Sequence, residues 1–124
     1  PIGRSALGRE IWAAELNPEG RRLIVVEAGI HGTELVTVEA ALYLLLRLAE
    51  MAEVGGLLDY LRERDLCVAI IPMVNPDGVE VAEVLPDSAW IAARVNARLV
   101  DLNRNFPYAW ANALEAFFLL SLVF

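Results

Sequence analysis

Apolar and polar positions along this chain fall into blocks whose period changes. Glu10 to Leu16 reads as a short strand, entered from the turn-rich stretch Gly3 to Gly8. Asn17-Pro18-Glu19-Gly20 is a strong turn signal. Leu23-Ile24-Val25-Val26 is a continuous aliphatic run, the pattern of a strand covered on both faces, and it ends at Gly29. From Glu34 to about Glu50 the pattern turns helical, with Glu39, Tyr43, Arg47 and Glu50 as a narrow polar stripe. Such a helix is expected to be largely buried against a sheet. Gly55-Gly56 interrupts it, and Leu57 to Arg64 predicts a second, shorter helix with Leu57, Leu58 and Leu61 on one face. Leu66 to Val74 is again apolar and β-rich, and Pro72 places the end of that strand near Ile71. Asn75-Pro76-Asp77-Gly78 reads as a turn. The order strand, strand, helix, helix, strand predicts an α/β fold with a largely parallel or mixed sheet. No internal repeat and no low-complexity linker divides the chain.

Composition narrows the function classes. A chain of 124 residues is at most one ordinary domain, and 57% hydrophobic residues argue against disorder. A net charge of −7 argues against a nucleic-acid surface, which needs a basic patch, so no nucleic-acid partner is expected. The apolar stretch Leu35 to Leu48 carries Glu39 and Arg47, and Phe117 to Phe124 is short. Neither approaches the roughly 20 apolar residues of a spanning helix, so no membrane partner is expected either. Cys67 is the single cysteine and is expected to be a small buried core residue. Pro1-Ile2-Gly3-Arg4 does not resemble a signal peptide. The first residue is not methionine, and localisation and oligomeric state stay open.

Candidate chemistry follows the apolar runs. His31 is the only histidine, and Glu34 stands three positions later. Imidazole and carboxylate are good zinc ligands. A spacing of three brings both to one side of the backbone if the segment enters a helix. Downstream, Arg94 to Pro107 is dense in polar groups. The Arg104 guanidinium can grip a carboxylate through two parallel hydrogen bonds, and the Asn103 amide can add a donor. The plainer alternative is a surface loop whose arginines pair with nearby acids.

Three blocks in this order give the chain a resemblance. They are Gly29-Ile30-His31-Gly32-Thr33-Glu34, Asn75-Pro76-Asp77-Gly78, and the run from Arg94 through Asn96-Ala97 and Val100-Asp101-Leu102-Asn103-Arg104-Asn105-Phe106-Pro107. The chain resembles the N-terminal part of a zinc metallocarboxypeptidase of the carboxypeptidase A/B-like family. The match spans roughly residues 2–108, and Ile2 to Ile11 resembles the family's early hairpin. The resemblance implies a mixed, largely parallel central sheet between helices, a zinc ion, and a peptide substrate with a free C-terminal carboxylate. It matches His31 and Glu34 to the first two zinc ligands. Arg94 matches the arginine that polarises the scissile carbonyl and stabilises the oxyanion. Asn103 and Arg104 match the pair that binds the substrate's C-terminal carboxylate. Asp101 matches an acid that hydrogen-bonds the ligating histidine and fixes its ring; its alternative is a helix-cap or salt-bridge acid. Asn75 to Gly78 is assigned a structural role and no chemistry. Trp12, Trp90 and Trp110 are expected in core or subdomain packing rather than lining a pocket.

The match also has gaps. A catalytic zinc takes three protein ligands, and the family draws its third, a histidine, from later in the chain. Its general-base glutamate and a substrate-covering tyrosine come later still. This sequence holds no second histidine, and beyond Tyr108-Ala109-Trp110 an apolar tail over 109–124 does not align. Leu99 stands where many relatives carry glycine, and a positive φ there would strain leucine by about 1 kcal/mol or more. The sheet is therefore expected to be incomplete on its C-terminal side, with an apolar edge exposed and the helix from Glu34 short of partners. The leading reading is a truncated zinc carboxypeptidase with little activity alone. The alternatives are a zinc amidohydrolase of N-acyl amino acids and a non-catalytic module that binds C-terminal carboxylates.

Overall fold

The computed structural model describes residues 1–85 and 90–106. The apolar tail and Trp110 lie outside the described residues. The chain opens with β1 (Gly3–Arg4) and β2 (Glu10–Ile11), which pair antiparallel with Gly3 opposite Ile11, the hairpin expected at this end. β3 (Ala14–Leu16) follows. The run read as one strand is thus two, broken at Trp12-Ala13. The break has a simple cause: β2 pairs in the hairpin and β3 in a second sheet.

That second sheet has the order β3-β5-β4, with β4 at Arg22–Glu27 and β5 at Leu66–Ile71. β3 runs antiparallel to β5, whereas β4 runs parallel to it with Val26 opposite Ile70. The fold is therefore mixed α/β. Among the described residues the sheet has one pairing of each kind. A parallel pair needs a long crossover, and here it consists of α1 (Leu35–Val54) and α2 (Leu57–Glu63). Strand β5 stops at Ile71, directly before Pro72, because proline cannot donate to the ladder.

The core sits between α1 and the sheet. Ala28, Ala41 and Ile70 are buried together, with Val26, Leu45, Leu48 and Val68 packed around them. Cys67 is buried in the central strand, as its apolar neighbours predicted. β4 is not covered on both faces. Leu23, Ile24 and Val25 are 60, 45 and 48% exposed, because β4 ends the strand order and among the described residues pairs with β5 alone. Nor is α1 largely buried: only Val38 and Ala41 are, while Val36, Tyr43 and Leu46 face outward. Its apolar surface is wider than the narrow sheet beneath it. The helix runs one turn past Glu50 and ends at Gly55, whose φ of 99° suits a residue without Cβ.

Two further expectations need correction. Asn75-Pro76-Asp77-Gly78 is not a free turn; it is the start of α3 (Pro76–Val84). Asn75 is the cap, accepting from the Gly78 N–H, and Pro76 occupies the first turn, where a missing N–H costs nothing. Trp12 and Trp90 are not core residues, being 56 and 52% exposed. Trp12 lies in the link between the two sheets, and Trp90 opens the short helix α4 (Trp90–Arg94), whose one buried residue is Ala93. Among the described residues no helix is long and apolar enough to cross a membrane.

Candidate metal centre

The site forms where the loop after β4 meets the loop after α4. Beyond the ends of β4 and β5 the backbones stay tied: the Ala28 N–H donates to Ile71 O (3.0 Å), Val74 N–H to Ala28 O (2.9 Å) and Asn75 N–H to Gly29 O (2.9 Å). Gly29 turns the chain at φ 63°, a region that favours glycine. Gly32 lies so close to α3 that an added Cβ would stand 2.0 Å from the Gly78 carbonyl oxygen. Its N–H donates to Ala93 O of α4 at 2.9 Å.

Between these glycines lies His31, 3% exposed. The helix expected from Glu34 starts at Leu35, with Glu34 at its N-cap. His31 and Glu34 are brought together by the turn that enters it, closed by the Glu34 N–H donating to His31 O at 3.1 Å. The Thr37 hydroxyl donates to Glu34 O (2.7 Å) and accepts from the Gly29 N–H (3.1 Å), locking the turn to the helix.

Both ring nitrogens face carboxylates. Nδ1 lies 3.0 Å from Glu34 Oε1, and Nε2 lies 3.0 Å from Asp101 Oδ1. Asp101 is shared further. Its Oδ1 accepts from the Asn103 N–H (3.0 Å) and its Oδ2 from Arg94 Nε (3.0 Å). It thus caps the 3₁₀ turn Leu102–Arg104, pairs with an arginine and orients the histidine. The cap and salt-bridge alternative is met, and the same carboxylate also lies within hydrogen-bond distance of His31. Burial by itself pushes the Asp101 carboxyl up, but the hydrogen bond to His31 and the Arg94 charge outweigh it and hold the group below the usual carboxylate range.

An ionised Asp101 can only accept, so Nε2 carries the ring proton. Nδ1 then faces the Glu34 carboxylate, as a second N–H donor in the imidazolium or as a lone pair in the neutral ring. Two such groups 3.0 Å apart need a proton or a cation between them. A zinc ion bound to both at roughly 2.0–2.2 Å in tetrahedral geometry would set the two atoms about 3.3–3.6 Å apart, so they would have to part by a few tenths of an ångström to admit it. Asp101 lies across the ring and cannot join the same ion. Accordingly, among the described residues no group of three donors is assembled.

The remaining predicted residues lie nearby in the chain. Arg94 ends α4 and gives Nε to Asp101; among the described residues its terminal N–H groups make no hydrogen bond. Asn103 and Arg104 sit exposed on the 3₁₀ turn, with Arg104 donating to Asn103 O at 3.0 Å. Neither side chain bonds to His31, Glu34 or Arg94. In the intervening loop Leu99 does adopt φ 60°, and the Asn96 side chain accepts from the N–H groups of Arg98 (2.9 Å) and Val100 (3.0 Å) around it.

Sequence reasoning assigned Asn75 and Asp77 no part in this arrangement. Both are 2% exposed. Asp77 accepts from Ser5 Oγ, Arg9 Nη1 and the Leu7 N–H at 2.8, 2.9 and 3.2 Å, fastening the hairpin to α3. Burial pushes its carboxyl up, yet the bonds from Ser5, Arg9 and Leu7 prevail and lower it. The signal that could have flagged the block was Asn followed by Pro, a helix-start pair.

The family model for the M14 peptidases, described as zinc carboxypeptidase, matches residues 1–118. The chain belongs to this zinc carboxypeptidase family. It is 35% identical to carboxypeptidase M of Mus musculus over 121 residues, covering 90% of this chain and 26% of that protein. It is 36% identical over 119 residues to carboxypeptidase Z of Homo sapiens, covering 86% and 18%. Against the carboxypeptidase N catalytic chain of Rattus norvegicus it is 35% identical over 127 residues, covering 86% and 25%. The chain thus spans about a quarter or less of the length of these curated relatives.

Proposed function

We propose that this chain supplies the N-terminal part of a zinc carboxypeptidase active site that removes the C-terminal residue of peptides. All of residues 1–124 belong, in this reading, to one catalytic domain whose full form has a largely parallel central sheet between helices. The observation that carries the reading is the His31 ring held between Glu34 at Nδ1 and Asp101 at Nε2. The Nε2 edge of the buried imidazole is held by Asp101, and the Nδ1 edge lies against Glu34, whose side chain is half exposed.

His31 Nδ1 and Glu34 would hold the zinc. When bound, zinc supplies Lewis acidity and activates water. Asp101 keeps the ring in the tautomer that leaves Nδ1 free. Arg94 offers its terminal N–H groups to the scissile carbonyl oxygen as negative charge develops there, which favours the transition state over the ground state. Asn103 and Arg104 grip the substrate's C-terminal carboxylate, the Arg through a bidentate pair.

Two ligands hold zinc more weakly than three. The purified chain is therefore expected to bind zinc through His31 and Glu34 with low affinity and to show little hydrolysis of peptides with free C-termini. Strong zinc-dependent turnover by this chain would contradict that expectation. The exposed Asn103 and Arg104, which could grip a carboxylate by themselves, favour one further reading, a carboxylate-binding module without chemistry. Peptide binding that is abolished by C-terminal amidation, without hydrolysis, would favour it.

A further inference from the structure

We infer that Asn75 is a positioning residue that ties the backbone under His31 to the backbone under Arg94. The proposal rests on the reading of these two residues as parts of one site. Among the described residues Asn75 and Ile70 are the largest fully buried side chains. The Asn75 amide Nδ2 donates to Ile30 O and to Val95 O, each at 3.1 Å. Ile30 immediately precedes His31, and Val95 immediately follows Arg94. Its Oδ1 accepts from the Gly78 N–H at 3.0 Å, and its own N–H donates to Gly29 O at 2.9 Å.

Capping α3 explains only part of this. A cap needs one acceptor, which Asp, Ser or Thr supply as well as Asn. The two Nδ2 bonds reach residues 45 and 20 positions away and require donors. A carboxylate has none, and in that place would face two carbonyl oxygens. An amide of this length is the side chain that can cap the helix and join both loops at once. Its effect on the site passes through backbone: it sets where His31 and Arg94 start, and their meeting at Asp101 depends on that.

The lone histidine makes the test direct. In the purified chain, long-range ¹H–¹⁵N correlation spectra report the His31 ring nitrogens and their tautomer, and zinc titration of the same signals gives an affinity. Asn75→Asp and Asn75→Ser both keep an acceptor for Gly78 and lose the Nδ2 amide that donates to both carbonyls at once; serine keeps one hydroxyl donor on a shorter side chain and carries no buried charge. Asp77→Asn is the control, since it loosens the hairpin from the same helix without touching either loop. Both Asn75 variants should retain the helical circular dichroism of the parent. Their Nε2–H signal should shift away from the Asp101-bonded position, and zinc affinity should fall about tenfold or more, in the range seen when supporting partners of metal ligands are lost. Asp77→Asn should leave both readouts within about twofold. Unchanged His31 signals in the folded Asn75 variants would overturn the proposal, as would equal changes in Asp77→Asn. Unfolding of both Asn75 variants would also count against it, since the residue would then hold the whole fold rather than the site. If the parent binds no zinc, the zinc reading fails on its own, and the ring signals still decide the role of Asn75.

Discussion

His31 and Asp101 stand 70 residues apart in the chain and 3.0 Å apart in space. That single contact joins the loop after β4 to the loop that carries Asn103 and Arg104, and through Oδ2 it draws in Arg94. Removing the Asp101 carboxylate should leave the ring free to rotate and to exchange tautomers. Asp101→Ala is expected to lower zinc affinity about 10- to 100-fold, measurable by competition with a chromophoric chelator.

Gly32 tests the close approach of the His31 loop to α3. The Gly78 oxygen lies 2.0 Å from where a Cβ would stand, and the nearest atoms all belong to the Gly78–Val79 backbone, which has little room to yield. Gly32→Ala is expected to destabilise the chain by about 3 kcal/mol, the upper part of the range for overpacking. Urea unfolding measures this as a lower midpoint.

Asp77 sets a pH dependence. Its carboxyl is lowered in the folded chain, so it contributes stability above the unfolded carboxylate range, near pH 4, and that contribution is lost as pH falls through the folded value. Thermal midpoints should therefore drop as pH falls below about 4. In Asp77→Asn the midpoint should be lower at neutral pH, by about 1–3 kcal/mol of stability, and the acid dependence should be shallower.

Leu99 is 82% exposed and sits at φ 60°, so its side chain adds little packing while its backbone is strained. Glycine removes a penalty of about 1–2 kcal/mol and adds unfolded-chain entropy worth about 0.4–1 kcal/mol. Leu99→Gly is thus expected to gain roughly 0.5 kcal/mol in denaturant unfolding.

Much of the frame was legible because its signals are local. The aliphatic runs at Leu23 and Leu66 are strands, Pro72 ends β5, Gly55 ends α1, and Leu99 has the positive φ that its place in the motif implied. The elements that escaped are those fixed by distant partners. The split at Trp12 depends on which sheet each half joins. The covering of β4 on both faces failed because it depends on what lies beside the strand, although an exposed apolar edge was expected from the gaps in the family match. At the site, His31, Glu34 and Asp101 carry their chemistry in their side chains, so a motif exposes them. Asn75 works on the carbonyls of Ile30 and Val95, and backbone acceptors leave no mark in a sequence. The motif Asn75-Pro76 spelled a helix start, yet the same residues spell a turn, and only the packing of α3 against α4 decides between them.

The central claim is that His31 presents Nδ1, beside Glu34, to zinc while Asp101 holds Nε2. Titrating zinc into the chain while following the His31 ring ¹⁵N resonances tests it most directly. The account predicts that Nδ1 takes up the metal, that Nε2 stays protonated, and that Glu34→Gln sharply weakens the change. Zinc binding at Nε2, or an Nδ1 resonance that does not respond to zinc, would contradict it.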